Sequence, residues 1–477
     1  MNTENRSRKT RLVLVVSAAA AGLLATALVI PGILSRAPRE RPDKVVLILL
    51  DTVRADHLGC YGYAQAATKN IDKLAAAGAR FVQAVSAIPE TGPSVSSLFT
   101  GLYPINHGHR DNVTVLGDES VTLADILRRN GYETVAFTEA FPFYDLRLLR
   151  GFNHNAERPR EAIDEHDNLK SKLKGPLAWL EENKDKKFFA FIHFFNAHMP
   201  YTPPVQSRRT ASLNYHGPFT GDFPPVFGLW AKKIPIGEKD REFMVSLYDD
   251  EIGFLDQAVG GILDELKKMG LDRKTLIVLT ADHGEALGEH DYYFDHGDLL
   301  YENQIRVPFI IRYPGMPDPG KTIEPQVRTV DLMPTILQVL NVKYSGMIDG
   351  ASLLPLIHGK KASPGTGYAF SETDTISFAN LNCRGYIEGV AGKHTSVRTD
   401  NFKLIYIPKR PEPLYELYDL KRDPRETTNI VGENVAEADE LKRVLFRWLS
   451  RPRRPPTPRE KLGEETQKIL KSLGYIR

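Results

Sequence analysis

The stretch VVLILLDTVRADHLGCYGY, Val45–Tyr63, decides how this chain is read. Its first six residues, Val45 to Leu50, are apolar without a break and run into a carboxylate, Asp51. Alternation would mark a strand with one wet face, whereas an unbroken β-branched-rich run reads as a parallel strand buried on both faces. Similar runs recur at Thr134–Phe137, Phe188–Phe195, Leu276–Thr280 and Val307–Ile311, separated by helical patterns such as Ile71–Ala77, Leu123–Arg129 and Ile252–Met269. The order predicts an α/β fold, a mostly parallel sheet with helices on both faces. Ligands in such sheets bind beyond the carboxyl ends of the strands. That rule points to Asp51, to Asn196 and His198, and to Asp282 and His283, each of which follows an expected strand.

Around this centre, 477 residues with 42% hydrophobic and 26% charged content describe a large globular unit with a smaller C-terminal piece. The formal charge of +2 gives no electrostatic reason to expect nucleic acid as a partner. The two cysteines, Cys60 and Cys383, match no zinc-ligand spacing, so a metal here needs oxygen and nitrogen ligands; whether they pair is open.

Residues 1–11 form a basic tail with Arg6, Arg8, Lys9 and Arg11, and the uncharged run 12–34 follows. At about 1.5 Å per residue that run can cross a hydrocarbon core of about 30 Å. A cleaved secretory signal is the alternative, favoured by its alanines and opposed by its length. A single-pass N-terminal membrane anchor with an extracytoplasmic catalytic part is expected, or a secreted protein if the segment is removed. A linker at 35–44 leads into a catalytic domain at 45–345. Shorter alternating segments then indicate a small C-terminal α+β subdomain at 346–430, with Phe402–Ile407 and Leu414–Leu420 as antiparallel strands. Residues 431–477 hold C-terminal helices, including an amphipathic one at Glu464–Leu473, and a Pro- and Arg-rich stretch, Arg451–Arg459, expected to be an extended solvated linker, with contact to anionic lipid as the alternative.

Two carboxylates and one imidazole at strand ends suit a divalent cation such as Mn²⁺, Zn²⁺, Mg²⁺ or Ca²⁺. Singly each residue is weak evidence, because an Asp after a strand is more often a turn former or helix cap.

The surrounding strings carry more weight. Val45–Tyr63 resembles the first strand and metal loop of the sulfatase family, within the alkaline phosphatase superfamily. TGPSVSSLFTGLYPINHG (Thr91–Gly108), LTADHGEALGEH (Leu279–His290), YELYDLKRDPRETTN (Tyr415–Asn429), VDLMPTIL from Val330 and IDGASLLPL from Ile348 are similar to the same family. The resemblance implies an alkaline-phosphatase-like fold, one divalent ion on Asp51, Asp282 and His283, and a nucleophile at Thr91 that is also an ion ligand. It places Thr91 where a helix opened by Pro93 and Ser94 begins, so that the helix N-terminus favours an anionic ester.

Four departures from the family pattern are consistent with one another. The family has Cys or Ser at the nucleophile position, converted to formylglycine. Thr91 would give a ketone, and no formylglycine is expected. The supporting Arg four positions on is Val95, the usual Gly-Lys-x-His string is replaced by TEAFPFY from Thr138, and a Lys after the Asp-His-Gly-Glu motif is replaced by His296. All four touch the aldehyde or its sulfate, while the ion ligands remain. The arrangement looks like the superfamily's phosphodiesterases and its phosphoglycerol and phosphoethanolamine transferases.

By the same resemblance His198 and His296 are catalytic and substrate-binding candidates on the leaving-group side, with His193 and His290 weaker ones. Arg398 could reach a substrate anion or form a structural ion pair. Arg54 and Asp56 should brace the metal loop. Thr52, where many relatives have a second Asp, shifts the expected ion towards Mn²⁺ or Zn²⁺, and Asn196 in place of Asp favours a single ion. YDDEI from Tyr248 reads as a solvated helix start. The expected substrate is a phosphate ester ahead of a sulfate ester, from a lipid head group or an envelope glycan. The alternatives are a sulfatase that works without formylglycine and a catalytically inactive binding protein.

Overall fold

The structure is a computed structural model that describes residues 41–159, 162–164, 166–209, 214–222, 229, 234–362, 367–373, 390, 392–451 and 462–473. The expected anchor at 12–34, residues 452–459 of the Pro- and Arg-rich linker and Cys383 lie outside the described residues. No helix among the described residues is long and apolar enough to cross a membrane.

Eight strands form the central sheet in the order Lys321–Ile323, Ala79–Phe81, Phe309–Arg312, Thr275–Thr280, Lys44–Leu50, Phe188–Phe194, Glu133–Glu139 and His154–Arg158. All neighbours are parallel except at Phe309–Arg312, which runs against both of its partners. Lys44–Leu50 lies near the middle with every residue buried, as its unbroken apolar run requires. The run 307–311 is not one parallel strand, as its composition suggests. Arg306–Val307 pairs with Ala84–Val85 in a separate small sheet, and only Phe309–Arg312 joins the main one. Pro308 divides them, since it has no N–H to give a ladder.

The helix expected from Ile252 begins much earlier and spans Glu238–Lys268. Tyr248, Asp249, Asp250 and Glu251 are therefore buried in mid-helix, which corrects the reading of that stretch as a solvated start. Their polar groups find partners no local pattern reveals: Asp249 Oδ1 meets His57 Nδ1 at 2.7 Å, Asp249 Oδ2 accepts from Tyr63 at 2.6 Å, and Asp250 accepts from Arg209 Nε at 3.1 Å.

The C-terminal sheet is antiparallel, in the order Ala369–Glu372, Thr395–Arg398, Phe402–Ile407 and Leu414–Asp419. The helix Val435–Leu449 closes a core of its own with Val397, Leu404, Leu417, Leu441 and Leu445, and Trp448 stacks on Phe370 at 4.4 Å. The last helix, Glu464–Ser472, packs elsewhere: Leu470 and Leu473 enter the main core, and Thr466 Oγ1 donates to Asp145 Oδ2 at 2.6 Å.

Candidate active site

Sheet register explains which side chains meet. Leu49 is paired with His193 on one side and with Thr280 on the other. Side chains alternate faces along a strand, so Asp51, two beyond Leu49, and Asp282, two beyond Thr280, emerge on the face that also carries His193. The helix Thr91–Thr100 covers this face, with Phe99 against Phe191 at 5.0 Å.

Asp51, Asp282 and His283 are fully buried, and one ligand atom from each lies within 4.8 Å of the others. Asp51 Oδ2 accepts from His193 Nε2 at 2.9 Å, while Oδ1 has no hydrogen-bond partner. Asp282 Oδ1 accepts from the amides of Thr52 and His283 at 3.2 and 2.9 Å, while Oδ2 has no partner. His283 Nδ1 donates to Gly284 O at 2.9 Å, which leaves Nε2 with its lone pair, 3.5 Å from Asp282 Oδ2. Burial, with Asp282 adding to it, pushes the Asp51 carboxyl well above the usual range, and burial does the same to Glu285. Two orphaned carboxylate oxygens and one imidazole lone pair in a dry pocket are costly unless a cation satisfies them. The donor set fits a divalent metal ion.

Thr91 sits at the first position of its helix, fully buried, with Oγ1 3.3 Å from His283 Nε2. The helix thus starts at Thr91 and not at Pro93. Ser94 Oγ donates to Asp282 O at 2.8 Å and ties the helix to the strand end. Asn112 Oδ1 accepts from Gly92 N at 2.8 Å, and a Cβ on Gly92 would stand 2.7 Å from that oxygen, so the backbone there must be glycine for the two to approach.

His198 and His296 join the same cluster. The His283 and His296 rings are 4.3 Å apart, and those of His198 and His296 4.9 Å. His198 stacks on Phe195 and donates from Nδ1 to Met199 O at 2.6 Å, which leaves its Nε2 unprotonated when the ring is neutral. His296 Nδ1 meets Glu285 Oε1 at 3.2 Å, and burial holds this histidine well below its ordinary pKa.

The remaining expectations separate. Arg54 braces the loop through Asp56, Glu289 and Glu285 O. Arg398 is not in the cluster: its guanidinium is bidentate with Glu302 at 2.9 and 3.0 Å and also donates to Gln326, Thr399 O and Gln83. All five of its N–H donors are thus used within the protein, and it forms the structural ion pair. His290 stacks on Tyr301 at 3.5 Å, away from the cluster. Phe141 and Phe143 are fully buried, and the Phe143 ring lies 4.7 Å from that of His193. Aromatic packing therefore occupies the TEAFPFY segment.

Sequence reasoning missed Asn112, Tyr248 and Glu285. Tyr248 accepts from Arg54 N at 2.9 Å and donates to Thr52 O at 2.8 Å, so the long helix holds the loop after Asp51 from behind. Asn112 stands just past the Thr91–Gly108 string, in polar residues that carry no periodicity, and Glu285 lies within Leu279–His290, where Asp282 and His283 are the stronger ligand types.

The sulfatase family model matches residues 43–342, and the model for the C-terminal part of N-sulphoglucosamine sulphohydrolase matches residues 288–453. The chain is 26% identical over 479 residues to the ulvan-active sulfatase of Formosa agariphila, covering 92% of this chain and 86% of that one. It is 27% identical over 459 residues to human arylsulfatase A, covering 85% and 86%. In fold it is similar to the phosphonate monoester hydrolase of Agrobacterium radiobacter, with TM-score 0.69, 23% identity and coverage of 86% and 95%.

Proposed function

The chain belongs to the sulfatase family and is an ester hydrolase of sulfate or phosphate esters; from that premise we propose that it cleaves a phosphate ester, and that unmodified Thr91 is the nucleophile. The observation that carries this reading is the place of Thr91 Oγ1, at a helix N-terminus and 3.3 Å from His283 Nε2. Val95, Phe141 and Phe143, all fully buried and apolar, support it, because they occupy the sequence positions at which the family resemblance expects charged partners of the aldehyde and its sulfate.

A divalent ion on Asp51, Asp282, His283 and Thr91, Mn²⁺ or Zn²⁺ ahead of Ca²⁺ or Mg²⁺, would lower the hydroxyl pKa and offset developing charge. Thr91 Oγ1 attacks phosphorus in line while the bond to the leaving oxygen breaks. The helix N-terminus faces the anionic group. An imidazole of the His198 and His296 pair, on the leaving-group side, passes a proton from water to the departing alkoxide, and the Thr91 hydroxyl proton is released to water. Water, or an acceptor alcohol, then opens the phosphothreonine by the reverse exchange. The basic start and the apolar run 12–34 support a membrane-anchored, extracytoplasmic enzyme, with lipid head groups or envelope glycans as substrates.

The test offers metal-loaded protein paired sulfate and phosphate mono- and diesters and examines the Thr91 peptide by mass spectrometry. A phosphate adduct that disappears in Thr91→Ala is the expected result. Faster cleavage of an aryl sulfate than of a bis-aryl phosphate would favour the sulfatase alternative, and no turnover of any ester would sink the enzymatic reading.

A further inference from the structure

We propose that His193 is a positioning residue that restricts Asp51 to one metal-facing oxygen and thereby selects a small divalent ion over Ca²⁺. The inference rests on the reading that Asp51, Asp282 and His283 hold a cation.

His193 Nδ1 accepts from the amide of Glu139 at 3.4 Å, so the ring proton is on Nε2, which donates to Asp51 Oδ2 at 2.9 Å. The ring cannot turn away. It is buried, with Phe143 at 4.7 Å and Phe191 at 6.4 Å between centroids. The strand end that supplies the Glu139 amide is pinned in turn, since the Glu139 carboxylate accepts from Lys172 Nζ at 2.6 and 2.7 Å and from Arg158 at 2.6 Å.

The same restriction applies around the whole cluster. Asp51 keeps only Oδ1, Asp282 only Oδ2 and His283 only Nε2, because the second atom of each is already hydrogen-bonded. Thr91 Oγ1 brings the protein donors to four. Ca²⁺ takes about 6 to 8 oxygens and often binds a carboxylate through both. Zn²⁺ is satisfied by about four mixed nitrogen and oxygen donors, and octahedral Mn²⁺ adds about two waters or ester oxygens to the same four without needing a bidentate carboxylate. Asp282 is held by backbone amides and His283 by a backbone carbonyl, so His193 is the lock that a side-chain substitution can remove.

The experiment measures Mn²⁺ and Ca²⁺ dissociation constants and Tm on the full chain, for wild type, His193→Phe, which keeps the aromatic packing without the donor, and His193→Gln, which keeps a donor. His193→Phe should weaken Mn²⁺ binding about tenfold to a hundredfold and lower the Mn²⁺ over Ca²⁺ preference by about the same factor, with His193→Gln recovering part of it. An unchanged preference in His193→Phe overturns the proposal while leaving the cation site in place; a wild type that binds neither ion overturns both. Should the Phe variant not fold, ¹H–¹⁵N correlation of labelled histidines in the wild type decides: Nε2–H on His193 is expected, and Nδ1–H overturns the role.

Discussion

Thr91 Oγ1 and His283 Nε2 stand 3.3 Å apart although 192 residues separate them in the chain. The first opens a helix and the second follows a central strand, so one contact joins the proposed nucleophile to a proposed ion ligand.

Replacing Thr91 tests that junction directly. Thr91→Ala should cost on the order of a thousandfold or more in kcat, while Thr91→Ser, which keeps the hydroxyl, retains measurable turnover. Both should unfold close to the wild-type Tm. Equal rates for the Ala variant and the wild type would remove Thr91 from the chemistry.

Metal removal should destabilise as well as inactivate. Without a cation, Asp51 Oδ1 and Asp282 Oδ2 are buried and unpartnered, and added ion at 100 times its Kd should raise stability by about 2.7 kcal/mol. Asp282→Asn relieves the like-charge contact with Asp51, so its metal-free form should melt at or above the metal-free wild type and show no shift on adding Mn²⁺. Thermal melts with and without chelator read both effects.

The contribution of His109 and His394 to stability should rise with pH between about 4 and 6.5. Burial lowers His109 and His394 to about 4, below the unfolded value of about 6.5. In that window the unfolded chain binds protons that the native chain does not, so each histidine destabilises the native state increasingly as pH falls, until it protonates in both states near 4. His394→Gln should therefore lose less stability than wild type between pH 7 and pH 4.5 in urea unfolding. An identical loss would show that His394 is not held neutral.

Arg398 separates an ion pair from a substrate contact. Removing it leaves Glu302, which Lys403 Nζ also approaches at 3.1 Å, without its bidentate partner. Arg398→Met should cost about 3–5 kcal/mol of stability with kcat/KM per folded molecule unchanged. A selective rise in KM with stability intact would restore Arg398 as a substrate ligand.

Much of this protein was legible along the chain. Val45–Leu50 must be buried on both faces because no alternating polar residue offers a wet one, and the rule that ligands gather beyond such strands leads to Asp51, Asp282 and His283. The Glu238–Lys268 helix was half legible. Its C-terminal part shows apolar periodicity, but acids at 249–251 look solvated until His57, Tyr63 and Arg209 are placed against two of them.

By itself the sequence determined the α/β class, the buried central strands and the strand ends that carry Asp51, Asp282 and His283. These follow from local pattern and residue chemistry. Only the tertiary structure decided that His193 restrains Asp51, that His198 and His296 close on His283, that Tyr248 holds the loop after Asp51, and that Arg398 is occupied elsewhere. Each is a contact between distant segments whose partners are chosen by sheet register and helix packing, and a linear pattern does not encode which of several buried polar groups will satisfy another.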